Sequence, residues 1–387
     1  MNVGEGKKVK FVAHCDMEGR RDAVQLLAYG KYLYVGHLWS GGVDVIDISD
    51  PKNPKVVTYI PAPNNNTWNT NIQVADDLLL VADELVLFGG DFNKPWSSAL
   101  KIYDVSNPLK PCELSRYPMS GRGPHRMWYV GGKYAFVPAI PEGFERCIFT
   151  IFDVSNPEKP EEVSRWWLQG QRGGEAPLWE EGALCWFHGC VVAEDYAYCG
   201  WWDAGMIILD VSDVSKPKFV SRLDYSPPFG GATHTCLPLP SRQLVIVADE
   251  AIKDNCEEGQ KMIWVVDVRE KTNAVPVALL PVPKGDFCEP GARFGPHNLH
   301  ENRPGSFQSD TLIFNAYFRA GLRIFDITDP YRPEEVGYYL PPDPEVMMDP
   351  RPGKAKAPSS QDVYVDKNGI IYLTDYNCGL YILEFTG

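Results

Sequence analysis

An apolar strand, an aspartate, a polar turn with proline and a second strand recur six times along this chain. The copies are "VDVIDISDPKNPKVV" (43–57), "LKIYDVSNPLKPCEL" (100–114), "FTIFDVSNPEKPEEV" (149–163), "IILDVSDVSKPKFV" (207–220), "IWVVDVREKTNAVPVAL" (263–279) and "LRIFDITDPYRPEEV" (322–336). The repeated acids are Asp47, Asp104, Asp153, Asp210, Asp267 and Asp326, at a period of roughly 50–60 residues. A strand-only repeat of that size can bury its apolar faces only by stacking neighbouring copies radially, as propeller blades do. The aspartates read as turn caps that use their own side chains, with proline fixing φ.

Ahead of each copy lies another strand, such as "KYLYVGH" (31–37), "DYAYCGW" (195–201) or "QLVIVADE" (243–250), and seven of these occur. The seventh unit ends at "GLYILEF" (379–385), one strand short, while "KKVKFVAHC" at the N-terminus has no partner. The expectation is an all-β, seven-bladed β-propeller forming one domain over residues 1–387. Strand 8–15 completes the last blade (360–387) and removes its open edge. "QLVIVADE" together with "DVSNPxKP" resembles the LVIVD-repeat β-propeller family. That resemblance covers nearly the whole chain and implies a fold rather than an activity.

Composition narrows the function. The chain has 387 residues, 44% of them apolar, and a formal net charge of −14. Such acidity argues against nucleic acid or an anionic membrane as the main partner. No apolar run approaches a membrane span, and the N-terminus lacks the apolar core of a secretory signal. Ten cysteines without a C-x-x-C pair read as reduced thiols of a cytoplasmic protein. No Gly-x-Ser-x-Gly elbow, P-loop or dinucleotide fingerprint is present. A homo-oligomer is left open.

The chain has seven histidines, and two share a Gly-Pro-His context: "GPHRM" at 123–127 and "GPHNLH" at 295–300. Aligning the first residues of the innermost strands explains the echo. The equivalent positions are Gln25, Asn71, His125, His188, His234, His297 and Gln361. Four consecutive blades thus offer imidazoles at one register around one axis. Neutral imidazoles suit a divalent transition metal. Fe(II) is favoured, with Mn, Zn or Cu as alternatives, because an all-histidine ring leaves the metal charge for an anionic partner. The ring is similar in architecture, though in no sequence motif, to the four-histidine iron site of carotenoid cleavage oxygenases.

By topology, the long loops 84–98, 140–146 and 250–261 and the connections 168–183 and 341–358 surround the histidine face. Loop 341–358 is the candidate lid. Asp203, Asp249 and Glu250, at or just beyond middle-strand ends, are candidate acids or bases. Trp179, Trp202, Phe294, Tyr317, Arg293 and Arg319 are candidate substrate contacts. Strand alternation turns Arg126 away from the channel and sets His300 outside the ring, and His14 is set outside it by lying on the closing outer strand. The reading is a metal-dependent enzyme acting on a small aromatic or carboxylate-bearing molecule, with oxygenase chemistry first. A hydrolase or lyase on the same site is the alternative, and a non-catalytic binding platform is the other class.

Overall fold

The computed structural model describes residues 4–86, 88–288 and 291–387. Seven antiparallel sheets follow one another along the chain. Blade 1 spans Ala23–Ile60, blade 2 Thr67–Pro118, blade 3 Tyr134–Trp166, blade 4 Gly189–Leu223, blade 5 Thr233–Leu279, blade 6 Leu312–Leu340 and blade 7 Ser360–Phe385. Two single 3₁₀ turns, Met17–Gly19 and Pro240–Arg242, are the helical content among the described residues. None is long and apolar enough to cross a membrane.

The repeat is physical as well as sequential. In all six copies the aspartate accepts the backbone N–H two residues on, from Ser49, Ser106, Ser155, Ser212, Arg269 and Thr328. The turn is therefore closed by the side chain itself, as the sequence predicts. Just before each aspartate the ladder to the outer strand slips by one residue, from Val45/Ile46 in blade 1 to Ile324/Phe325 in blade 6. A bulge at that point adds twist, which lets flat ladders become wedge-shaped blades.

The N-terminal segment closes the ring. Val9–Cys15 pairs with Gly379–Phe385 in register Val9↔Phe385 to Cys15↔Leu380. Glu5–Lys7 goes further and covers the outer strand of blade 6. Val9 and Ala13 are buried there; a fully buried large apolar side chain contributes about 1.5–3 kcal/mol. A variant lacking residues 1–16 should lose these contacts and expose two sheet edges. It is expected to aggregate and to melt earlier by scanning calorimetry; a soluble variant with an unchanged midpoint would contradict the closure.

His37, at the end of a middle strand, is fully buried between Asp22 (3.2 Å) and Asp44 (3.0 Å). Burial alone pushes an imidazole down, but the hydrogen bonds to both carboxylates outweigh it and raise its pKa to about 9. In the window from about 6.5 to about 9 the folded protein holds a proton that the unfolded chain has released. Stability from this group is therefore complete below pH 6.5 and lost as pH rises through 9. The urea midpoint should fall between pH 7 and 10, and His37→Asn should remove that part of the fall.

Candidate metal centre

The first residues of the seven innermost strands converge on one cavity of about 600 Å³, lined by Gln25, Asn71, His125, His188, His234, His297 and Gln361 alike. Local irregularity aims them there. Ladder slips flank Gln25, His234 and Gln361, so each lies at a bulge. Asn71 and His188 stand one residue ahead of their strands. In blades 3 and 6 His125 and His297 donate to the Pro138 and Ala316 carbonyls, and beyond them only the isolated bridges Trp128↔Phe136 and Leu299↔Asn315 form. Gly123, at φ +117°, runs so close to blade 2 that a Cβ would stand 2.3 Å from the Asp83 carbonyl oxygen.

The four imidazoles form a continuous arc. Ring centroids are 4.6 Å apart for His125–His188, 3.8 Å for His188–His234 and 4.5 Å for His234–His297. The Nε2 atoms of His125 and His188 are 3.0 Å apart. His125 Nδ1–H donates to Glu84 (2.9 Å) and His297 Nδ1–H donates to the Gln361 carbonyl (2.6 Å). At His297 the acceptor-only carbonyl fixes the proton on Nδ1 and leaves Nε2 a lone pair, while Glu84 orients the His125 ring. His234 Nδ1 meets the Thr235 hydroxyl at 2.8 Å. His188 Nδ1 is buried with no hydrogen-bond partner among the described residues. Burial, and then neighbouring positive charge, holds His188, His234 and His297 well below the usual imidazole range. They are neutral donors at pH 7.

Glu250 completes the donor set. Its carboxylate lies 3.7 Å from His234 Nε2 and 3.8 Å from His297 Nε2. Ligand atoms of His188, His234 and Glu250 all fall within 4.8 Å of one another, and all three residues are buried. Two neutral imidazoles, a carboxylate and an orphaned buried ring nitrogen fit a transition metal. The carboxylate also changes the charge argument made for an all-histidine ring, because part of the metal charge is balanced by the protein.

The other sequence candidates divide. Trp202 lines the cavity and stacks on His188 at 5.3 Å. It adopts φ +53°, a conformation costly for an aromatic residue and held by paired backbone bonds with Thr233 beside His234. Arg293 also lines the cavity, but it is committed to Glu250 (3.3 Å), the Ala251 carbonyl (3.3 Å) and the face of Phe318 (3.9 Å). Asp203 and Asp249 do not line it. Asp203 accepts the Leu184 and Ala232 amides. Asp249 takes the Tyr225 hydroxyl and Trp264 indole, and burial pushes its pKa up to about 6. Both lock loops to blades. Phe294 and Tyr317 pack against each other at 5.3 Å, and Arg319 pairs with Asp343. Trp179 lines a separate hollow beside the mouth.

Three expectations are corrected. Arg126 faces the channel rather than away from it, lining the cavity and reaching Asn298 and Glu301 across the axis. His125 N–H donates to the Pro138 carbonyl and Trp128 N–H to the Phe136 carbonyl, so the ladder slips across Arg126 and alternation does not apply. Loop 341–358 contributes nothing to the cavity wall; it packs beside Gly291–Arg293 and Tyr376. Cys256 and Cys288 form a disulfide with Cα atoms 5.6 Å apart, so not all ten cysteines are thiols. They lie on two facing loops of the site face, a proximity that their 32-residue separation conceals. His300, as alternation predicts, and His14, on the closing outer strand, lie outside the arc, bonded to the Phe307 and Cys378 carbonyls.

Of the loops expected around the site, 84–98 supplies Phe88, 140–146 supplies Ile140 and Arg146, and 250–261 supplies Ile252 to the cavity. Residue 87 lies outside the described residues. Glu84, buried behind His125, and Asn298, beside His297, are further contributors. The first is visible in sequence as a middle-strand end; the second carries no signal.

A family model described as the LVIVD repeat matches residues 20–59, 129–166 and 188–224. No curated protein matches the chain. Among solved structures, Raptor from Chaetomium thermophilum aligns with a TM-score of 0.64 at 10% identity, covering all of this chain and 30% of that one. The computationally designed Ika8 protein aligns with a TM-score of 0.53 at 8% identity, covering 96% and 99%. At such identities the likeness shows the fold alone. The chain is a seven-bladed β-propeller that carries LVIVD repeats.

Proposed function

We propose that this propeller is a metal-dependent enzyme, with an oxygenase reaction on a small aromatic or carboxylate-bearing molecule as the leading chemistry. The observation that carries the reading is the convergence of His188, His234 and Glu250 in a buried cavity. His125 and His297 stand beside them in the arc. Two histidines and one carboxylate form the donor set that non-haem Fe(II) oxygenases use, with positions left open for ligands. When bound, Fe(II) would supply O₂ activation; Mn, Zn or Cu on the same donors would serve as a Lewis acid, the basis of the hydrolase or lyase alternative.

The protein residues have separable tasks. Glu84 holds the His125 ring, and the Gln361 carbonyl holds the His297 ring and its tautomer. Burial pushes the Glu250 pKa up, and Arg293, paired with it at 3.3 Å, opposes that rise. Trp202 and Trp186, whose rings are 4.7 Å apart, wall the cavity with apolar surface that keeps water from the reacting group.

The test is oxygen uptake by Fe(II)-loaded protein offered a panel of aryl carboxylic acids. Substrate-dependent uptake that vanishes in Glu250→Ala is the expected result. Turnover without oxygen uptake would move the assignment to hydrolase or lyase. Metal binding without turnover of any kind would favour the binding platform.

A further inference from the structure

The cavity inverts the charge of the molecule. Four arginines line it, Arg122, Arg126, Arg146 and Arg293, against two glutamates, Glu145 and Glu250, in a chain of net charge −14. Three of the four arginines are engaged. Arg293 is held by Glu250 and Phe318, as above. Arg126 is paired with Glu301. Arg122 lies 3.6 Å from Glu84 and over the Trp186 ring at 5.1 Å. Arg146 alone among them has no hydrogen bond, ion pair or ring contact within the described residues, and it is exposed at the rim.

Its position is specific. Arg146 lines both the histidine cavity and an adjoining hollow of about 410 Å³ beneath loop 168–183. That loop is fixed to loop 140–146 by the Phe144↔Arg172 bridge and by Gly173 N–H donating to the Gly143 carbonyl at 2.9 Å. Ile140, Leu184, Trp186 and Trp202 line the same cavity as Arg146 and the histidines, with the engaged Arg122 over the Trp186 ring. A ligand reaching from the imidazoles to Arg146 meets aromatic and aliphatic surface from these residues and, at Arg146, a guanidinium with no partner among the described residues, beside the exposed Glu145.

We infer that Arg146 is the specificity-determining residue of this site and that it binds a carboxylate at the distal end of an apolar substrate. The inference rests on the cavity being the substrate site. It replaces Arg293 and Arg319 as the acid-recognising residues, because both of those are already paired within the protein. A guanidinium pairs with a carboxylate through two parallel N–H donors, and neutralising the partner removes most of that gain.

The probes are 4-phenylbutyrate and its neutral counterpart 4-phenylbutanamide. Binding is read by the fluorescence of the cavity tryptophans and by calorimetry, on protein as purified and after addition of Fe(II). The acid should bind at least about tenfold more tightly than the amide. Arg146→Met should erase that preference and leave amide affinity and metal content unchanged. Arg146→Lys should restore part of it. Since Arg146 is exposed and bonded to no described residue, these variants keep the fold, which circular dichroism checks. Equal affinity for acid and amide, an intact preference in Arg146→Met, or no binding of either probe overturns the inference. A preference that persists where no metal binds would instead count against the metal reading alone.

Discussion

Replacing His188 by alanine should abolish tight transition-metal binding, with a loss greater than the 10–100-fold typical of a residue behind the ligands. His188 lies between His125 and His234 in the arc and shares the closest cluster with His234 and Glu250. His234→Ala and Glu250→Ala should behave alike. Glu84→Gln removes no donor atom and should cost only the smaller factor, because it weakens the grip on His125 Nδ1–H. Metal titration by calorimetry, with circular dichroism to confirm the fold, checks this ranking. Equal losses for Glu84→Gln and His188→Ala would mean the donor set has been misassigned.

The second large effect lies beneath the arc. Arg126 and Arg303, both buried, share Glu301. Arg303 also donates to Gln73 at 2.9 Å, joining blades 2, 3 and 6 across the axis. Burial pushes nearby Asp362 up to about 7, with Arg126 opposing, so at neutral pH it balances the second guanidinium only in part. Glu301→Ala would strand two buried cations, a change that costs about 3–5 kcal/mol. Its urea midpoint should drop accordingly, and Arg126→Met in the same chain should recover part of the loss. A Glu301→Ala variant as stable as the parent would show that the floor of the cavity is not held by this network.

Much of this was legible in the sequence because a propeller repeats one strand order. The six aspartate turns mark the blades, and the same register that aligns "GPHRM" with "GPHNLH" brings Gln25, Asn71 and Gln361 to the cavity with the four histidines. Strand alternation then predicted His300 correctly and Arg126 wrongly. The difference is local: His125 and Trp128 donate to the Pro138 and Phe136 carbonyls, so three steps face two and Arg126 falls inside the slip, whereas His300 holds the ladder bond to Phe314 that ends the matching slip in blade 6. Loop residues were harder. Asp249 and Glu250 are adjacent, yet one is a latch for Tyr225 and Trp264 and the other faces two imidazoles. That distinction depends on where the strand ends, as does the disulfide between Cys256 and Cys288. Loop 341–358 has the length of a lid but packs beside the cavity, since length carries no direction.

The central claim is that His188, His234 and Glu250 hold a metal. It is tested most directly by X-ray absorption on the purified protein, combined with its elemental content. The expected result is one equivalent of a transition metal, with an absorption edge and scattering shells of nitrogen and oxygen donors at about 2.0–2.2 Å and imidazole outer-shell features that weaken in His188→Ala. Protein that takes up no metal even when Fe(II), Mn, Zn and Cu are offered in excess, or a spectrum left unchanged by His188→Ala, would contradict it.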